Sequence, residues 1–110
     1  MKQADRPIQL ANDYHVRGLV QIISSKWALP VLHVLSKETL RYYEINAALP
    51  DITQKVLTDI LRKLEGYGFI SRQVYPTVPP KVEYSLTGLG DSFTTALSPA
   101  FEWVKANIYE

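Results

Sequence analysis

Near the start of the chain, apolar side chains return every three or four residues: Val16, Leu19, Val20 and Ile23 share one side of a helical projection. Asn12 or Asp13 stands where such a helix takes its N-cap. Ser24 and Ser25 interrupt the pattern, and Ser25 is the expected cap of a second helix whose broad apolar face is Trp27, Val31, Leu32, Val34 and Leu35. Pro30 falls inside that helix, where it removes a backbone donor and predicts a bend in the first turns. Beyond Lys37-Glu38-Thr39 a short helix is predicted from Tyr42 to Leu49, closed by Pro50-Asp51. The next begins at once, with Asp51 and Thr53 competing as its N-cap, and runs to Glu65 before Gly66-Tyr67-Gly68 stops it. Two helices joined by three or four residues make a helix-turn-helix over residues 42–66.

The period then changes from helix to strand. Phe69 to Tyr75 and Lys81 to Leu86 are rich in β-branched and aromatic residues, and Val82, Tyr84 and Leu86 alternate with Lys81, Glu83 and Ser85. They predict a hairpin over residues 69–86, with a tip, Pro76-Thr77-Val78-Pro79-Pro80, whose three prolines cannot donate to a ladder. Thr87 can cap a last helix over residues 87–108, which Ser98-Pro99 is expected to kink or split. Residues 1–11 are expected to be loosely ordered, and the whole, residues 1–110, reads as one mainly α domain with a small β-hairpin.

Composition narrows the function. The sequence has no cysteine, which excludes structural disulfides, thiolate metal sites and thiol-based redox switching within it. No apolar run approaches the roughly 18 to 20 residues of a membrane span, so no membrane partner and a cytoplasmic location are expected. His15 and His33 lack carboxylates at ligand spacing, the serines lack an elbow motif, and no glycine-rich phosphate loop is present. The reading is therefore of a non-enzyme with no metal and no cofactor. Net charge is only +1, but its distribution is uneven: residues 1–52 carry six basic and five acidic side chains, 53–81 five and two, and 82–110 one and four. The middle is thus basic, as a phosphate-facing patch requires, although a solvated surface also produces such an imbalance.

That basic middle contains the candidate chemistry. On the second helix of the pair, Leu57, Ile60, Leu61 and Leu64 form the core side, while Lys55, Thr58, Asp59, Arg62 and Lys63 face away, with Gln54 at the edge of the exposed first turn. Amides and hydroxyls near a helix start suit base edges and cations suit phosphates, so Thr53, Gln54, Lys55, Thr58 and Arg62 are candidate contacts to double-stranded DNA. In the hairpin Arg72 and Lys81, with polar Gln73 and Thr77, are candidates to lie against the backbone of an adjacent groove. An ordinary solvated helix face and a hairpin that only covers the core are the plainer alternatives. In the last helix Phe93, Leu97, Phe101, Val104 and Ile108 form one stripe with Trp103 off it. A domain this small has little interior left for both terminal helices, so Val16, Leu19, Val20 and Ile23 with Leu97, Phe101, Trp103 and Val104 are candidate homodimer contacts, core burial being the alternative. An apolar cavity between Trp27 and the two terminal helices is where a small-molecule effector would sit; the sequence identifies none.

Specific motifs extend this reading. Lys26-Trp27, Val31-Leu32, Leu35, Arg41-Tyr42 and Glu44-Ile45 are followed by Leu49-Pro50-Asp51-Ile52-Thr53-Gln54-Lys55-Val56-Leu57-Thr58, Leu61-Arg62 and Leu64-Glu65. Then come Val74-Tyr75-Pro76, Val78-Pro79-Pro80, Val82-Glu83-Tyr84-Ser85-Leu86-Thr87, Gly90 and Trp103. Across roughly residues 14 to 105 this combination resembles the HxlR-type winged helix-turn-helix regulators. The resemblance implies a dimeric repressor or activator on an inverted-repeat operator, dimerising through its terminal helices. Several members of that family sense electrophiles or oxidants through a cysteine near the N-terminus, which this sequence lacks. It also has Asp51 where a turn glycine is usual, Tyr43 where a polar residue is common, and Pro99 in the last helix, a candidate to alter dimer geometry. The other reading, a winged-helix protein-interaction module without DNA binding, is opposed by the basic hairpin and recognition face.

Overall fold

The computed structural model describes residues 13–109, so the expectation for residues 1–11 lies outside them. Helix α1 spans Tyr14–Ser24, and Asp13 is its N-cap: the carboxylate accepts from the Val16 backbone N–H at 3.0 Å. Ser25 does not cap the second helix. Its backbone N–H donates to the Ile22 carbonyl at the end of α1, and α2 (Ala28–Leu35) starts after Trp27 with no side-chain cap. Pro30 consequently falls in the first turn of α2, where backbone N–H groups have no intrahelical acceptor. The ring there removes no ladder bond, and the reason for expecting a bend disappears. Ala28, Val31, Leu32 and Leu35 are buried at helical spacing, making α2 the central element of the core.

A two-residue strand that the sequence pattern did not reveal, β1 (Leu40–Arg41), leads directly into α3 (Tyr42–Ala48). Glu44 reaches back to accept the Arg41 backbone N–H at 2.8 Å, satisfying a donor at the helix entry. A five-residue link, longer than expected, joins α3 to α4 (Gln54–Gly66). Between the two competing caps the structure selects Thr53, whose hydroxyl accepts from Val56 N–H at 3.2 Å. The reason lies in Ile52, which is buried: the link must drop this side chain into the core before the helix begins. At its other end α4 closes with paired bonds, Gly68 N–H to the Glu65 carbonyl and Phe69 N–H to the Leu64 carbonyl, both 3.0 Å. Gly68 has φ +85°, the left-handed conformation this closure needs and glycine supplies without a Cβ clash.

The hairpin strands β2 (Ile70–Tyr75) and β3 (Lys81–Leu86) pair antiparallel from Ile70 opposite Leu86 to Tyr75 opposite Lys81. On the other side of β3, β1 pairs Leu40 with Tyr84 and Arg41 with Glu83, giving a three-stranded sheet of order β1-β3-β2. β1 thereby pins the start of α3 to the hairpin.

The last helix, α5, runs unbroken over Gly88–Asn107 from an N-cap at Thr87. Ser98-Pro99 neither splits nor restarts it. Proline removes the one bond its missing N–H would have made to the preceding turn, and at this exposed position the neighbouring bonds carry the helix through. The start of α5 is tightly fixed: the Thr87 hydroxyl donates to the Gly68 carbonyl at 2.6 Å and accepts from Gly90 N–H at 3.0 Å. Gly90 is buried against the Phe69 carbonyl, leaving no room for a Cβ. Above this junction the rings of Phe69 and Phe93 stack at 4.8 Å, tying α5 to the base of the hairpin. The core enclosed by these elements contains Ile22, Val31, Leu32, Ile45, Leu57, Leu64 and Ile70 among its buried members.

Candidate nucleic-acid interface

The apolar stripe of α4 is buried through Leu57, Ile60, Leu61 and Leu64, which leaves its opposite face and first turn as the outward surface. Thr53, Gln54, Lys55 and Arg62 are exposed there, and Thr58 is half-buried one turn in. Lys55 makes an exposed ion pair with Asp59 at 3.5 Å, four residues along the same helix. Thr53 has a second occupation, since its hydroxyl caps the helix.

Tyr42, at the start of α3, crosses the turn to this surface. Its hydroxyl donates to the Gln54 carbonyl at 3.0 Å and lies 3.3 Å from the Thr58 hydroxyl. The two helices are thus fastened where the outward face begins. Behind them, Arg62, Arg72, Thr58, Glu65 and the two phenols of Tyr42 and Tyr84 line a notch of about 300 Å³ between α4 and the sheet. Arg72 on β2 meets Glu65 of α4 at 3.6 Å. Burial pushes the Tyr84 phenol above its ordinary pKa of 10.0, an effect the nearby Arg72 guanidinium opposes. The phenol therefore remains a neutral donor at physiological pH.

On β3, Lys81 pairs with Glu83 at 3.6 Å and stands over the Tyr75 ring, 4.9 Å from its centre. Both hairpin cations are therefore positioned by partners, with side chains that keep close to half their surface in solvent. At the tip, Thr77 donates to the Pro79 carbonyl at 2.8 Å, and Val78 is fully exposed. The structure brings Arg62 and Arg72 to one notch, Thr53, Gln54 and Lys55 to one helix start, and leaves Lys81 at the far end of the hairpin.

The terminal helices present a different chemistry. Leu19, Val20 and Ile23 on α1 and Phe101 and Trp103 on α5 are exposed, Val20 by 55% and Trp103 by 59%, while Val16, Leu97 and Val104 are half-buried. A cavity of about 770 Å³ lies between α1, the end of α4 and the start of α5, lined by Tyr14, His15, Leu19, Tyr67, Phe69 and Leu89 among others. Trp27, expected beside such a space, is not part of its lining. Among the described residues no single helix is long and apolar enough to cross a membrane.

Residues 22–110 match the model of the HxlR-like helix-turn-helix family. The chain belongs to that family. An uncharacterized HTH-type transcriptional regulator of Methanothermobacter thermautotrophicus is 49% identical over 90 residues, covering 82% of this chain and 69% of that protein. A solved structure described as the HTH-type transcriptional regulator ytcD superposes with a TM-score of 0.80 at 39% identity, covering 86% of this chain and 97% of that one. The reduced form of the transcriptional regulator YodB from B. subtilis superposes with a TM-score of 0.79 at 28% identity, covering 88% and 95%. This HxlR-like chain is accordingly a DNA-binding transcriptional regulator with a winged-helix fold, and not an enzyme.

Three residues of this surface escaped the sequence reading. In the sequence Tyr42 is the start of a short helix and part of an Arg-Tyr motif, although an aromatic ring with a polar tip beside a turn is a candidate anchor. In the sequence Glu65 marks the end of α4 and Tyr84 an alternating strand position, each within a family motif and neither a candidate contact; their association with Arg72 depends on how the hairpin folds back.

Proposed function

We propose that this regulator binds a specific inverted-repeat operator as a homodimer in the cytoplasm, with α4 in the major groove and the hairpin as a wing on the backbone or adjacent groove. The observation that carries the proposal is the juxtaposition on one side of the fold of an exposed polar helix start, Thr53, Gln54 and Lys55, and the half-buried Thr58 one turn on, with the cations Arg62 and Arg72 beside it. Short polar groups at a helix start reach base edges, and flanking cations supply phosphate contacts that fix the register. The ion pairs that hold Arg72 and Lys81 do not oppose this role. Half-exposed pairs of this kind are worth about 1 kcal/mol or less, so a phosphate can displace the carboxylate.

Dimerisation is supported by the exposed apolar groups of α1 and α5. Leu19, Val20, Ile23, Phe101 and Trp103 are large side chains that gain from removal from water, and they lie on the helices that frame the domain. Selection of bound sites from a random duplex library tests the whole reading. It should return two symmetric half-sites about 10 to 10.5 base pairs apart, or a multiple of that spacing, with binding that weakens as salt rises. Failure to enrich any sequence, together with salt-insensitive association, would turn the interpretation toward a protein-interaction module.

A further inference from the structure

We propose that Tyr42 fixes the Thr58 hydroxyl as a hydrogen-bond acceptor, so that each protomer selects an amino-bearing base, adenine or cytosine, at one half-site position. The inference rests on the reading of α4 as the recognition helix. It is carried by the order of two hydrogen bonds. Tyr42 Oη lies 3.0 Å from the Gln54 backbone oxygen and 3.3 Å from Thr58 Oγ1. A carbonyl oxygen only accepts, and a phenol has a single proton, so the shorter contact commits the Tyr42 proton to Gln54. The longer contact then has one arrangement left, with Thr58 donating to the Tyr42 oxygen. That uses the only proton Thr58 has.

What Thr58 retains is lone-pair density alone. An unconstrained threonine hydroxyl rotates to meet either a donor or an acceptor, which is why such residues discriminate bases poorly. In the major groove adenine N6 and cytosine N4 donate, whereas guanine O6 and thymine O4 accept. A Thr58 oxygen with its proton committed pairs with the first two and sets lone pair against lone pair with the others. Tyr42 is held for this task by its ring, which packs against the core, and by its place immediately after β1. Thr58 lines the notch beside Arg62 and Arg72, so the cations that would hold the backbone flank the acceptor that would read the base. Tyr42 is thus a positioning residue and Thr58 the reading one.

The test selects sites from a random duplex library with the full chain as wild type and as Tyr42→Phe, Thr58→Val and Thr58→Ser. For the wild type, one symmetric pair of positions should favour adenine or cytosine over guanine and thymine. Thr58→Val should reduce that ratio roughly three- to tenfold at those positions alone, the scale of one net hydrogen bond. Tyr42→Phe should reduce it by admitting guanine and thymine, because Thr58 recovers a proton to donate, and Thr58→Ser should preserve it. Duplexes with purine for adenine, or pyrimidinone for cytosine, remove the amino group without altering the protein. The wild type should lose the same factor on them, and Thr58→Val nothing further. A wild-type preference for guanine or thymine at the Thr58-sensitive position overturns the proposal. So does an unchanged ratio in Tyr42→Phe, or a preference for thymine that Thr58→Ser abolishes, which would identify methyl packing instead. If the wild type selects sites but Thr58→Val changes nothing, this inference alone fails; if the wild type selects none, the operator reading fails with it.

Discussion

The two halves of this fold treat apolar side chains in opposite ways. In the 13-residue α4, Leu57, Ile60, Leu61 and Leu64 are all buried, and apart from Val56 and the closing Gly66 what remains outside is polar or charged. The 20-residue α5 buries only Gly90, and α1 buries only Ile22, while both expose aliphatic or aromatic groups. Length alone would predict the reverse. The helix-turn-helix thus buries the apolar stripe of its second helix within one chain, whereas the terminal helices leave theirs largely open, the surface on which the proposed dimer rests. A polar outward face on α4 is compatible with a strongly charged ligand that arrives and leaves; the faces of α1 and α5 suit a lasting apolar contact.

The largest effect is expected where the terminal half is challenged directly. Replacing Phe101, on the apolar stripe of α5, and Trp103, off it, together by glutamate charges both exposed aromatic positions and should convert the proposed dimer to monomer, read by sedimentation equilibrium. A dimer that survives the double substitution would remove these helices from the interface. In the same monomeric background, Leu64→Ala should cost about 2 to 5 kcal/mol of unfolding free energy, since Leu64 is fully enclosed. Val20→Ala should cost less than about 0.5 kcal/mol there, because its side chain already meets water. Urea titrations of the two variants measure the contrast, and equal losses would abolish it.

A smaller effect sharpens the view of the recognition half. Arg72→Ala should make the slope of log K against log salt shallower by about 1.8, two phosphate contacts per dimer at roughly 0.9 each, with sequence preference little altered. An unchanged slope would mean that Arg72 serves only its pair with Glu65. The smallest expected change is none. Treatment of the purified chain with diamide should leave operator affinity as it was, because no cysteine is present to form a disulfide or sulfenic acid. Loss of binding that a thiol reductant restores would refute this.

Legibility in the sequence followed the range of the interaction. The α4 stripe was readable because four apolar residues at helical spacing have one arrangement that buries them. Its N-cap was not, since Asp51 and Thr53 are both good caps and the burial of Ile52 decides between them. β1 was invisible because two residues, Leu40 and Arg41, show no alternation, and only pairing with β3 defines them as a strand. Pro99 misled for a local reason: Ser-Pro is a strong start signal, but an established helix can absorb one missing bond at an exposed position. The candidate surface was readable as residue types on a face, whereas Tyr42 meets partners 12 and 16 positions away across a turn, a relation no spacing rule encodes.

Between β3 and α5 there is no slack: Leu86 ends the strand, Thr87 caps the helix and Gly88 begins it. Thr87 is bonded to Gly68 on one side and Gly90 on the other, and the Phe69 carbonyl fills the space over Gly90. Mechanically, α5 and the hairpin form a lever with a welded fulcrum. A rotation of α5 about this joint would have no loop in which to dissipate and would pass directly to the hairpin. In the proposed dimer, a small adjustment in how two copies of α5 cross would therefore reach the hairpin tip at Val78 with no loop between to absorb it.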